Sequence, residues 1–296
     1  MKKIHKPWIK LKEGIDAEDY EIINELQERC VKNDKTTLKL ELDYKLGISD
    51  DSSNGVKDIN EFMYFDGEQL IGYLGICSFG GPWEVNGMVD PEYRRQGVFA
   101  KLFELVLAEW KRRDSGSMLL LSDHSSESGQ KFIAGTGAAY KHSEYEMFLR
   151  KNAPVATPDG IVFRKATNAD AKEIARQNAI YFNSEEEIEA DDMPLPEVEE
   201  KRGMTSYLVE KEGQIIGKVN LQLTSKLGAI FGLGVLPEHR RKGYGRALLL
   251  LAIEKLKEAE AQEIMLQVAA DNSNALNLYK SCGFEETSTM DYFELK

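Results

Sequence analysis

Polar and apolar positions fall into the same order twice along this chain. Apolar runs at residues 62–65 and 71–76 flank the pair Asp66-Gly67, and runs at 207–209 and 215–223 flank Glu212-Gly213. A glycine-containing turn pair between two apolar runs predicts a β-hairpin in each half. Each hairpin leads into a further strand, at 84–89 or 229–235, and then into a helix free of internal Gly and Pro, at 99–111 or 246–259. A short buried strand follows (118–121 or 264–268), then a second helix ending at Gly137 or Gly283, then a final strand (145–149 or 290–295). This order of elements predicts two compact α/β units.

The joint falls at 151–160, a polar stretch containing Pro154, Pro158 and Gly160. The run 161–164 opens the second unit, with Asn168 or Asp170 placed to cap the helix beyond it. The expected domains are 1–155 and 156–296. The repeat also has a register. Pro91-Glu92-Tyr93-Arg94-Arg95-Gln96-Gly97 returns 146 residues later as Pro237-Glu238-His239-Arg240-Arg241-Lys242-Gly243, and Gly137 returns as Gly283 at the same offset. The hairpin segments 66–72 and 212–217 match with a slip of one residue.

Only the second copy is chemically complete. Gly243 and Gly245 sit between a buried strand and a long helix, among Arg240, Arg241, Lys242 and Arg246. Backbone N–H groups in such a turn, with the partial positive charge of a helix N-terminus, suit a pyrophosphate. Glycine also lets a phosphate approach the backbone closely. Taken alone, this pattern describes a basic surface turn equally well. A nucleotide P-loop would need Gly-Lys followed by Ser or Thr, whereas Tyr244 follows Gly243; a dinucleotide fingerprint would need glycine where Leu248 stands.

A second motif, Asn272-x-x-Ala275-x-x-Leu278-Tyr279 ahead of Gly283-Phe284, follows the buried strand. Together with Arg240-x-x-Gly243-x-Gly245 it strongly resembles the GCN5-related N-acetyltransferase (GNAT) family, well over residues 161–296 and more loosely over the first half. The tandem arrangement is similar to that of double-domain members. The resemblance implies an α/β chain of two tandem acyl-CoA N-acyltransferase domains. Each would be a mixed, mostly antiparallel sheet, flanked by helices and splayed between its fourth and fifth strands. It implies acetyl-CoA as co-substrate, no metal, and transfer of the acetyl group to an amine on a small molecule or peptide; the alternative is a non-catalytic acyl-CoA-binding or regulatory protein, against which the intact Tyr279 argues.

Carried over by residue, backbone N–H groups from Arg241 through Lys242, Gly243, Tyr244 and Gly245 to Arg246 would hold the pyrophosphate, with Arg240 beside them. Main-chain groups of Leu233 and Val235 would pair with the pantetheine arm and orient the thioester carbonyl. Asn272 would contact the arm from the other side, and Tyr279 would protonate the departing thiolate. An oriented backbone N–H can stabilise the charge that builds on the carbonyl oxygen. A positioned acid typically contributes about 10²–10⁴ in rate. No carboxylate lies in 229–235 to act as base. Glu238 and His239 align with Glu92 and Tyr93, which assigns them to the turn; a water chain or an amine of lowered pKa stays open for the role. Cys282, with no histidine nearby in sequence, is not expected to be a nucleophile.

At the 146-residue offset, Gly245 corresponds to Phe99, Asn272 to Ser126, Ala275 to Gly129, Leu278 to Phe132 and Tyr279 to Ile133. The first half is therefore expected to be degenerate in chemistry. Arg94, Arg95 and Gly97 persist there, which leaves altered CoA binding open.

Charge narrows the partners. A net charge of −12 and a pI near 5.0 argue against nucleic acid. The longest apolar run, 247–253, is too short to span a bilayer, and the basic start of the chain has no apolar leader core behind it. Three scattered cysteines without metal-ligand spacing favour a cytoplasmic location. Nine carboxylates lie between Glu185 and Glu200. Such a run is most often solvated surface. In this fold it would also border the acceptor entrance, where it would attract a cationic amine. Oligomeric state is not legible from these features.

Overall fold

The computed structural model describes residues 1–47, 58–78, 81–153, 158–182, 193–224 and 226–296. By internal contacts the chain divides into two compact units, residues 1–143 with 288–296, and residues 144–287. Along unit 1 run β1 (Pro7–Lys12), α1 (Ala17–Asp34), α2 (Leu42–Gly47), β2 (Glu61–Asp66), β3 (Gln69–Cys77), β4 (Trp83–Val89), α3 (Val98–Arg113), β5 (Met118–Asp123) and α4 (Glu127–Ala134). Strand β6 (Ala139–Leu149) carries the chain into unit 2. There follow β7 (Ile161–Lys165), α5 (Ala171–Phe182), α6 (Pro196–Lys201), β8 (Met204–Lys211), β9 (Gln214–Thr224), β10 (Leu227–Val235), α7 (Tyr244–Glu258), β11 (Glu263–Ala269) and α8 (Ser273–Ser281). Strand β12 (Phe284–Leu295) returns the chain to unit 1.

Within unit 1 the strand order is β1-β2-β3-β4-β5-β12, and within unit 2 it is β6-β11-β10-β9-β8-β7. Neighbours are antiparallel except β4 with β5 and β10 with β11. Those two parallel ladders are short. Trp83–Val85 lies opposite 118–120, and 227–230 lies opposite 263–266. Past Val85 and Ile230 the pairing stops, so each sheet opens between its fourth and fifth strands, as the family resemblance implies.

Alternation along the strands sorts side chains to the two faces of each sheet. On β3, Tyr73 joins Ile23, Leu26 and Cys30 of α1, whereas Leu74 and Ile76 join Leu102 and Val106 of α3. On β9, Val219 and Leu221 pack with Leu248 and Ala252 of α7. On the opposite face of that sheet, Leu208 of β8 meets Ile174 of α5. Beyond Gly245 in its first turn, helix α7 is set by a Leu-, Ala-, Lys- and Glu-rich run, with seven of its positions from Ala247 to Leu256 buried.

Two expectations change. The division differs from a boundary near 155: residues 144–153 group with unit 2 and residues 288–296 with unit 1. The cause is strand pairing. Residues 144–148 of β6 pair with β11, and Met147 is fully buried in the unit 2 core. Residues 290–295 of β12 pair with β5, and the buried Asp291 contacts His124 Nδ1 (2.8 Å), Gln130 Nε2 (2.9 Å) and Ser143 Oγ (2.6 Å). At the head of α5, the Asp170 carboxylate accepts from the Thr167 backbone N–H (2.8 Å) and hydroxyl (3.1 Å). Thr167 is thus the N-cap of a capping box in which Asp170, one of the two expected residues, is the reciprocal partner, and Asn168 bonds to Glu197 instead. Residues 154–157 of the expected linker lie outside the described residues. Among the described residues no helix is long and apolar enough to cross a membrane, and no cluster of three or more His, Cys, Asp or Glu side chains could hold a metal ion.

Candidate active site

In unit 2, β10 ends in a single 3₁₀ turn, Pro237–His239, ahead of α7. Arg241 and Gly243 then adopt left-handed backbone, with φ of +61° and +85°. Such turns at a helix start form anion-binding concavities from main-chain N–H groups. The basic side chains of the loop are engaged within unit 2. Arg240 Nε donates to the Val235 carbonyl (2.9 Å), Arg241 to Asn274 Oδ1 (2.9 Å) and Lys242 to the Glu238 carbonyl (2.9 Å). Arg246 donates to Ser281 Oγ (2.8 Å), and the Tyr244 hydroxyl accepts from Lys211 Nζ (2.6 Å). These bonds fasten the loop to β10 and to α8, so what the loop offers a phosphate is chiefly its backbone.

On α8, Asn272 is the N-cap, its Oδ1 accepting from the Ala275 N–H at 3.2 Å. Ser126 does the same for Gly129 on α4 at 3.3 Å. Helix capping therefore accounts for the polar residue at this place in both halves. Tyr279 is buried and meets Phe284 edge-on, with ring centroids 6.3 Å apart. Burial pushes its phenol up to about 12, which keeps the proton in place at neutral pH. A Cβ on Gly245 would stand 3.6 Å from Leu278, at ordinary contact distance. In unit 1 the corresponding Phe99 and Phe132 fill that space edge-to-face, 4.6 Å apart.

The strand itself supplies a feature beyond these motifs. Phe231 is opposite Asn220, but Gly234 is opposite Lys218, so β10 carries one more residue than β9 between these pairs. This is a β-bulge. Gly232 within it has φ +55°, and Leu233 follows. In unit 1, β3 and β4 pair without a shift from Gly72 opposite Val89 to Cys77 opposite Glu84. The bulge explains the slip in the repeat. Gly72 and Gly217 are 145 residues apart, Val89 and Val235 are 146 apart, and the extra residue lies at 231–234.

Beneath the bulge lies Lys218 of β9, fully buried, with its Nζ 3.4 Å from the Gly232 carbonyl oxygen. Burial alone lowers its pKa to about 8. The one sign of it in the sequence is a lone cation inside the apolar run 215–223.

Unit 1 keeps more than its motifs promised. Arg95 and Gly97 repeat the left-handed loop, at φ +60° and +80°, and Arg94 Nε donates to the Val89 carbonyl as Arg240 does to Val235. A cleft of about 370 Å³ opens beside this loop, walled by Val85, Met88, Phe99, Leu120 and Phe132. Ile133, in the place of Tyr279, is among its lining residues and has no proton to give. Of the acidic run, Glu197, Glu199 and Glu200 bond to Asn168, Arg202 and Lys165. Glu185, Glu186, Glu187, Glu189, Asp191 and Asp192 lie outside the described residues.

Comparison with known proteins places this geometry. Residues 171–284 match the model of the acetyltransferase (GNAT) family. The mycothiol acetyltransferase of Clavibacter sepedonicus is 27% identical over 217 residues, covering 69% of this chain and 70% of that protein. That of Mycolicibacterium smegmatis is 27% identical over 241 residues, covering 74% and 78%. Among solved structures, a GCN5-related N-acetyltransferase from Sphaerobacter thermophilus superposes with a TM-score of 0.75 at 18% identity, covering 97% of this chain and 95% of that one. A tandem GNAT protein from the clavulanic acid biosynthesis pathway gives 0.69 at 17%, covering 97% and 98%. Residues 171–284 are thus matched to the acetyltransferase (GNAT) family, and the whole chain shares its fold with tandem acetyltransferase-fold proteins.

Proposed function

We propose that unit 2 transfers an acetyl group from acetyl-CoA to an amine on a small molecule or peptide. The observation that carries this is the β10 bulge. It frees main-chain groups of Gly232 and Leu233 from the ladder at the mouth of the opening between β10 and β11, and unit 1 has no counterpart. The left-handed loop at Arg241 and Gly243 supplies N–H groups for the pyrophosphate. Leu233 and Val235 offer main-chain partners to the pantetheine arm, and Tyr279 an acid. The amine nitrogen attacks the thioester carbonyl, the carbon–sulfur bond breaks, and the thiolate takes the Tyr279 proton. The proton shed by the amine restores the phenol by way of solvent.

Relatives named for mycothiol acetylation support a small-molecule acceptor. Cationic character in that acceptor is supported only by the acidic run. It predicts a KM that rises when Glu185, Glu186 and Glu187 are neutralised, and an unchanged KM removes it. Turnover of acetyl-CoA over a panel of amines tests the main reading. Tyr279→Phe and Gly243→Val should each abolish most of it, and activity indifferent to both would move the chemistry elsewhere.

The cleft in unit 1 favours a second reading for that half. It would hold an acyl-CoA-type ligand without reacting it, using the Arg95–Gly97 loop and an apolar wall. Calorimetric titration separates the two sites by stoichiometry in variants of each loop.

A further inference from the structure

Lys218 is a fully buried cation of unit 2 to which the proposed chemistry gives no role. Among the described residues it has no carboxylate within ion-pair distance. Its sheet neighbours on either side, Leu208 of β8 and Gly234 of β10, carry no charge. The ionisable groups of α5 over this face are Tyr181, whose hydroxyl donates to Gln177, and Glu173, held by Arg176 and Gln177. Glu210 of β8 is engaged by Arg164. A long cationic side chain is rarely buried without a charged partner. Here its ammonium reaches one main-chain acceptor, the carbonyl of Gly232, at 3.4 Å.

That carbonyl shares its peptide group with the N–H of Leu233. A donor on the oxygen of an amide pulls electron density from its nitrogen and makes the N–H a stronger donor, an effect enlarged where the local dielectric is low. We propose that Lys218 is a positioning residue for acetyl transfer, polarising the Gly232–Leu233 peptide so that the Leu233 amide donates more strongly to the thioester oxygen as charge builds there; this rests on the assignment of the chemistry to unit 2. The space supports the arrangement. A Cβ on Gly232 would stand 3.0 Å from the Lys218 ammonium and 3.3 Å from the Asn220 amide, so glycine keeps the contact open. The contact also depends on charge: the ammonium polarises the peptide below its pKa of about 8, and the neutral amine above it does so weakly.

The test uses the full chain and two measurements. In ¹⁵N-leucine-labelled protein, the Leu233 amide signal should titrate with a midpoint near that of Lys218, and in Lys218→Met it should not. In acetyl transfer, Lys218→Met should lower kcat about tenfold, a fraction of what loss of a whole oxyanion donor costs. Acetyl-CoA affinity should stay within about threefold, and the alkaline fall in kcat seen in the wild type should disappear. Wild-type kcat and pH profile in Lys218→Met overturn the proposal, as does an equal loss of kcat and acetyl-CoA affinity, which would mark a purely structural lysine. A Leu233 signal indifferent to pH in the wild type overturns it whatever the activity. Transfer that survives Gly243→Val, with the Leu233 titration intact, would instead overturn the assignment of chemistry to unit 2.

Discussion

Units 1 and 2 place different side-chain chemistry at the equivalent position of their respective sheets. Tyr73, opposite Met88, and Lys218, opposite Gly234, stand one residue beyond the equivalent glycines Gly72 and Gly217. In unit 1 the position is closed. Tyr73 and Lys45 both bond to Glu61, Lys45 also bonds to Tyr73 (3.0 Å), and all three are buried. Burial pushes Glu61 and Tyr73 upward, Glu61 against the pull of the Lys45 charge. Beside this network β4 runs regularly. In unit 2 the position carries one amine with no counter-charge among the described residues, and the strand beside it is bulged. A satisfied buried network stiffens a core, whereas a lone buried donor is costly. The cost sits in the half where the bulge releases main-chain groups of the neighbouring strand from the ladder.

The sharpest way to break this comparison is at the acid. Tyr279→Phe should lower acetyl transfer by about 10²–10⁴ with acetyl-CoA affinity unchanged, and Ile133→Tyr should add no activity to unit 1. Steady-state kinetics with a calorimetric Kd checks both. If Ile133→Tyr compensates for Tyr279→Phe, the halves are not chemically distinct.

Next come the two buried lysines, whose removal should have opposite signs. Lys45→Met leaves the Glu61 carboxylate buried and short of its cation, and should cost about 3–5 kcal/mol of unit 1 stability. Lys218→Met removes an uncompensated amine and should raise the thermal midpoint of unit 2. The folded pKa of Lys218 lies below its ordinary value of 10.5. Wild-type unit 2 should therefore gain stability as pH rises from about 8 toward 10.5, a gain absent in the variant. Parallel melts at pH 7 and 10 show whether the signs differ.

Loop variants follow. Gly97→Val and Gly243→Val each force a β-branched residue into left-handed backbone, a strain of about 1–3 kcal/mol. Each should remove one acetyl-CoA binding event from a calorimetric titration. A titration changed by Gly243→Val alone would leave unit 1 without a cofactor role.

The smallest effect is acid sensitivity. The Arg164 hydrogen bond holds the Asp170 carboxyl at about 2, and that of Arg112, with Arg113, holds Glu109 at about 2. Both groups bind protons more weakly in the folded state, so the stability they add is present above about pH 4.5 and fades as pH falls toward 2. Asp170→Asn should flatten that loss in unit 2 and Glu109→Gln in unit 1, each by under about 1 kcal/mol. Denaturant titrations from pH 5 to 2.5 measure it.

How much of this was legible in the sequence follows from the range of each interaction. The hairpins, the long helices and the glycine loops are local patterns, and they fold where periodicity and turn chemistry put them. Strand exchange was hidden, because the apolar run that ends in β6 or β12 does not say which neighbour it pairs with. The bulge showed only as one residue of slip, and its meaning needed the ladders on both sides. Asn272 stood out as a difference between halves until the cap it makes proved to be shared with Ser126. Lys218 was visible as a charge in an apolar run, but only the fold brings it under Gly232.

The return of β12 to unit 1 constrains the order in which the molecule can be made. Tyr292 is almost wholly buried, stacks on His142 at 4.3 Å, and accepts a hydrogen bond from Lys39 (2.7 Å), all within that unit. Strand β5 gains its antiparallel neighbour only when residues 290–295 exist. During synthesis, the unit whose strands come first must therefore wait, with an open sheet edge, until the whole of its successor has been translated. Edges of that kind invite mispairing. For this chain, the half expected to do the chemistry closes first, and the half that came earlier from the ribosome is the last to become native.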